Sequence, residues 1–245
     1  MRVVYRLLAL VAAAVVVAVV VLVIVIPRGP GEGVSRPVAA PSAVPPSPEP
    51  VRSPTPSTVP TIAPGYTPMQ ALGADVRVPK LPSGLKSKTV AGRAVKLKGF
   101  INDARSGLRV PRLAAPWKRY GPAPFATRQV LPRAKGARHR AMFVTSLMPI
   151  ETQKSPRDTA QLAARWTLNH HPEGSRIRWV SSQRTAKGWT LLYRVVYGKR
   201  SSLAAVSVVR TGRERPALVF VTIPDTQKKR WADIQRMVSQ VRVLG

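Results

Sequence analysis

The chain has 245 residues, a formal charge of +30 (40 Lys and Arg against 10 Asp and Glu) and no cysteine. The missing thiols exclude disulfides, thiolate nucleophiles, Cys-based zinc sites and attachment to lipid through an N-terminal lipobox. The charge implies attraction to polyanions, although the excess of Arg over Lys amid abundant Ala, Val, Gly and Pro is also what a GC-rich coding bias produces.

Residues Leu7 to Ile26 read LLALVAAAVVVAVVVLVIVI, the run of about 20 apolar residues needed to cross a bilayer as a helix. Arg2 and Arg6 lie before it and Arg28 after it. The positive-inside bias therefore leaves residues 1–6 as a cytoplasmic stub and everything after the span outside the plasma membrane. A cleaved signal peptide is the rival reading. The run exceeds the 7–15 residues of a signal h-region, and IPRGPGEG follows it without a cleavage site, so a retained anchor is expected.

Composition changes at Pro27. Fifteen of the 25 prolines fall between Pro27 and Pro82, in stretches such as VPPSPEPVRSPTPSTVPTIAPGYTP. Such a segment buries too little apolar surface to repay its ordering entropy. Residues 27–98 are therefore expected to be a disordered, basic, Pro-rich linker, biased to polyproline II, with one short strand at Ala94–Leu97.

From residue 99 onward the pattern is that of a folded domain. Strand-like runs occupy Phe125–Pro132, Ala141–Pro149, Arg176–Ser182, Trp189–Gly198, Leu203–Gly212 and Ala217–Pro224. They are separated by short Gly-containing connections that suit antiparallel hairpins. Between the second and third, SPRDTAQLAARWTLNHH reads as a helix with Ser155 as N-cap and Pro156 at the first position. A second helix starts near Asp225, with Trp231, Ile234, Val238 and Val241 as a buried stripe. The expected fold is α+β: an antiparallel sheet of five to six strands with two packed helices, over residues 99–245.

Chemistry is hard to find. His139, His170 and His171 are the only histidines, and the adjacent pair cannot share a helix face as metal ligands. Asp158 and Asp225 read as helix-start residues. Asp103, Glu151, Glu173, Glu214 and Asp233 suggest no acid–base pair. There is no nucleophile elbow, phosphate loop or dinucleotide fingerprint. No catalytic residue, metal or cofactor is expected, and a hydrolase remains an outside alternative. Trp117 reads as a residue closing the core rather than as an exposed platform. Trp179 and Trp189 flank a hairpin and could pair across it.

Two stretches, Asn102–Trp117 (NDARSGLRVPRLAAPW) and Val208–Thr226 (VVRTGRERPALVFVTIPDT), resemble a family of actinobacterial membrane proteins with one N-terminal anchor, a Pro-rich spacer and an exterior domain. The order of elements also resembles the PsbP-like fold of actinobacterial LpqN-type lipoproteins. Those are anchored through a cysteine that this chain lacks. The resemblance implies an antiparallel sheet with helices packed on it and brings no catalytic residue.

Residues 100–245 carry 28 basic side chains less 7 acidic ones, a balance of +21. The expectation is a non-enzymatic envelope protein, anchored in the lipid bilayer through residues 7–26, presenting this basic domain to anionic wall or lipid polymers. Arg138, Arg140, Arg213, Arg215, Lys228 and Lys229 are the expected contact residues. A scaffold in an envelope protein complex is the alternative. Topology and the absence of nucleic-acid-binding motifs argue against DNA, with an extracellular DNA adaptor the remaining form of that idea.

Overall fold

The computed structural model describes residues 67–245 apart from 87 and 138. The apolar run 7–26, the Pro-rich stretch through residue 66, and Arg138 of the expected contact set lie outside the described residues.

Seven strands form the main antiparallel sheet: β3 (Lys118–Arg119), β4 (Thr127–Val130), β5 (Met142–Leu147), β6 (Arg176–Thr185), β7 (Gly188–Tyr197), β8 (Arg200–Val209) and β9 (Ala217–Pro224). Their order is β3-β4-β5-β9-β8-β7-β6. A smaller sheet, β1-β2-β10, is built from β1 (Leu97–Asp103), β2 (Leu108–Leu113) and β10 (Arg242–Val243). The helices are α1 (Pro68–Ala74), α2 (Pro156–Thr167) and α3 (Ala232–Gln240). The α+β class and antiparallel pairing agree with the sequence reading. Among the described residues the main sheet has seven strands rather than five to six, with a second sheet and a third helix beside it.

Burial on both faces explains the composition of the central strands. Strand β9 reads ALVFVTIP and is buried at every position. Leu218 and Phe220 join the cluster under α2, while Val219, Val221 and Ile223 join the opposite one. A strand covered on both sides needs apolar residues at both parities, which is why alternation vanishes there. Helix α2 lies across β7 and β8 on the first face. It starts where its cap predicts, with the Ser155 hydroxyl accepting from the backbone of Arg157 (3.1 Å) and Asp158 (3.4 Å). The second face is covered by the β1–β2 hairpin, through Leu108 and Val110, and by Ile234 and Met237 of α3.

The folded unit begins earlier than composition suggests. Residues 67–98, expected to be linker, are built into the domain. Leu72, Val78 and Leu81 are buried in the α2-side cluster, and Val95 in the other. Helix α1 is closed by a capping box between Thr67 and Gln70. Asp75 then accepts from Arg77 and from Arg165 of α2, each pair at 2.7 Å. The Arg77 guanidinium, with Arg165, holds the Asp75 carboxyl far below the usual carboxylate range against the opposing effect of burial. The Pro and Lys content that marks this stretch as linker leaves enough Leu and Val to dock, Leu72 from α1 and Val78, Leu81 and Val95 from chain without regular structure.

A candidate binding groove and a histidine cluster

On the second face, β6, β7 and β8 extend beyond the cover provided by α3 and β10. Three rows of residues run across the floor beneath the cavity, as the register dictates. Thr185 and Val209 flank Gly188; Gln183, Thr190 and Ser207 form the next row; Ser181, Leu192 and Ala205 form the third. The Thr190 and Ser207 hydroxyls bond each other at 2.6 Å. Gly188 is required, because a Cβ there would come within 1.8 Å of the Val208 carbonyl oxygen. One wall is α3 with the chain leading into β10, contributing Val238 and Val241. The other is the segment around Lys88–Ala94. Together they enclose a cavity of about 850 Å³.

That second wall is held by long-range bonds from α3. Gln235 accepts from the Val90 N–H (2.9 Å) and donates to the Lys88 carbonyl (2.8 Å). The fully buried carboxylate of Asp233 accepts from the Val95 N–H (2.7 Å) and the Trp117 indole N–H (2.9 Å). Its place in the first turn of α3 adds a favourable dipole. Gly92 sits at φ +125°, and a Cβ added there would meet the Ala232 Cβ at 3.3 Å. Trp117 is therefore a core residue, 4 % exposed, as the sequence suggests.

The groove carries one sign of charge. Lys88, Lys187, Arg236 and Arg242 line it, and no described lining residue is acidic. None of these four stands out in sequence, since they come from three separate stretches, Arg236 and Arg242 sharing the last, that only the fold brings together. Val238 and Val241, expected in the buried stripe of the last helix, are half-buried and line this groove, while Ile234 and Met237 supply the core contact.

The contact residues expected from sequence do not form one site. Arg213 and Arg215 precede β9 and Lys228 and Lys229 follow it. An eight-residue strand places the two pairs about 25 Å apart. Arg213 donates to the carbonyls of Ala104 (2.6 Å) and Arg105 (3.2 Å), tying down the β1–β2 turn. Arg140 lies at the Lys228 end, because Met142 at the start of β5 pairs with Thr222 near the end of β9. Its guanidinium is 5.5 Å from the ring centroid of exposed Tyr120, and that of Arg128 is 4.8 Å from it.

His139 and the adjacent pair His170 and His171 gather over the first face of the sheet. The His139 and His171 rings are 5.2 Å apart, and His170 packs on Trp166 (4.8 Å) and Phe220 (5.7 Å). His171 bridges the Thr167 carbonyl at the end of α2 and the Thr222 hydroxyl of β9, both at 3.0 Å. His139 Nε2 lies 2.9 Å from Ser202 Oγ, which also bonds the Tyr197 hydroxyl at 3.0 Å. Burial pushes the His171 imidazole down to about 4 and lowers His139 and His170 as well.

The Ser202–His139 contact has the elements of a nucleophile and its base without their arrangement. Ser202 is fully buried. Asp225, which would orient the base, instead accepts from the Ser201 N–H (3.0 Å) and pairs with Arg200 (2.9 Å). His139 Nδ1 has no partner. Among the described residues no group of three or more His, Asp or Glu is placed to hold a metal ion, and no helix is long and apolar enough to cross a membrane. Trp179 and Trp189 do not pair with each other. Trp179 opposes Tyr193, and Trp189 opposes Arg184.

No protein-family model and no curated protein matches the chain. Among solved structures it has a weak likeness in fold to a mutant of the protein Mog1, at 11% identity and a TM-score of 0.43, over 59% of this chain and 95% of that one. It has another to the cyanobacterial PsbP protein, CyanoP, of Synechocystis, at 17% identity and a TM-score of 0.40, over 66% of this chain and 99% of that one.

Proposed function

We propose that the chain is a non-enzymatic envelope protein, anchored through residues 7–26, whose basic domain binds an anionic wall or lipid polymer outside the plasma membrane. The observation that carries this reading is the groove, an open cavity of about 850 Å³ whose ionisable lining residues are all cationic. A concave site of one charge sign concentrates ligands of the opposite sign, and low-dielectric walls strengthen the effect. Burial of Ser202 supports the non-enzymatic part, since no substrate reaches a nucleophile without exposed surface.

The test is a titration of the full chain, held in zwitterionic nanodiscs, with purified anionic wall polymer, anionic liposomes and duplex DNA from low to physiological salt. Binding to wall polymer or anionic lipid that persists at physiological salt is the expected result. Weak binding to all three that disappears together with salt would overturn the reading and leave the charge as compositional.

A further inference from the structure

The groove has more apolar wall than a ligand made only of charge would use. Val238 and Val241 on one side and Leu192 and Val209 on the floor present carbon to the cavity. The hydroxyls of Thr190 and Ser207 between them are already bonded to each other. Lys187 stands at the β6–β7 turn, next to Gly188 of the floor, and Arg236 on α3, two residues before Val238. A highly hydrated polymer lying here would bond the cations and leave the valines wet. An amphiphile satisfies both.

We infer that the groove binds a long-chain fatty acid, with the acyl chain against Leu192, Val209, Val238 and Val241 and the carboxylate between Lys187 and Arg236. This rests on the proposed reading of the domain as a binder of anionic envelope material and names a ligand class for its groove. The cavity volume of about 850 Å³ lies within the range of about 300–1,000 Å³ usual for small-ligand sites. Charge complementarity selects the acid over the neutral alcohol: the lining offers cations and no described carboxylate to repel the head.

The experiment is photolabelling of the full chain in zwitterionic nanodiscs with a diazirine-bearing palmitic acid, followed by mapping of labelled peptides. Labels are expected in 188–192, 205–209 and 236–243. Palmitate should compete and hexadecanol should not. Shorter acids should lose potency by about fourfold per methylene removed. The double variant Lys187→Glu with Arg236→Glu should lose labelling about tenfold or more while keeping its thermal unfolding transition. A second variant, Val241→Trp, should block labelling by filling the groove without altering its charge.

Labels confined to residues 7–26, or groove labelling that hexadecanol suppresses as well as palmitate does, would overturn the inference. If groove labelling is absent while wall polymer still binds at physiological salt, the fatty-acid inference fails and the polyanion reading stands. If both are absent, both fail.

Discussion

Two single residues show how side-chain chemistry is committed in this fold. Asp233 is a buried carboxylate whose two oxygens each serve a different partner, the Val95 N–H and the Trp117 indole. Replacement by Ala would leave both donors buried without an acceptor, at about 1–3 kcal/mol each. Asp233→Ala should therefore lower the stability measured by urea unfolding by several kcal/mol, and an unchanged midpoint would refute the role. His171 carries the second prediction. Its imidazole titrates near 4 in the folded state against about 6.5 in an unfolded chain. Between those values the unfolded chain binds more protons, so stability is constant above about pH 6.5 and falls as pH drops toward 4. After discounting for partial exposure, the loss is about 2 kcal/mol from this one group. His139 and His170 are displaced in the same direction and add to the slope. Unfolding midpoints measured from pH 7.5 to 4 should fall steeply below 6.5, and less steeply in His171→Gln, which retains hydrogen-bonding capacity without the proton.

At the level of elements, the segment before β1 is the least obvious part of the design. Its strand content is nil before Leu97, yet Leu72, Val78, Leu81 and Val95 fill core positions. At about 2 kcal/mol for each buried aliphatic side chain, their sum is comparable to the whole stability of an ordinary domain, about 5–15 kcal/mol. A chain beginning at residue 99 should therefore lose its cooperative thermal transition, while one beginning at residue 59 keeps it. Equal transitions in the two would show that the segment is an ornament. The hairpin and helix signals further along are far more legible. Ser155 and Pro156 mark the start of α2, and β7, β8 and β9 follow their apolar runs within a few residues, because caps and short-range periodicity are local properties. The β1–β2 hairpin escapes a sequence reading: LKGFIND and LRVPRL bury few side chains on the outer face and carry no clean alternation.

For the whole molecule the distribution of charge decides what can be tested. Arg140, Lys228 and Lys229 stand at one end of β9, Arg213 and Arg215 at the other. In the polymer titration, charge reversal of Lys228 and Lys229 should weaken binding and flatten its salt dependence by about one unit of log–log slope for each cation that pairs with the polymer. Reversal of Arg213 should also cost stability, because its guanidinium holds the Ala104 and Arg105 carbonyls. If reversal at both ends leaves affinity and slope unchanged, polymer binding resides in the groove alone.

Sequence by itself determined the α+β class, the run of strands between residues 125 and 224 and the capped helix among them, because each depends on residues a few positions apart. It also carried the N-terminal apolar run and the charge. Only the tertiary structure decided that residues 67–98 belong to the domain, that His139 meets His171 while His170 and His171 pack on Phe220, and that Lys88, Lys187, Arg236 and Arg242 line one cavity. The bonds that build the groove wall join residues 145 and 138 positions apart. Pairings of that span leave no periodic trace in a single sequence, since any of several distant Gln or Asp side chains could in principle have met that backbone until packing of the two sheet faces selected one.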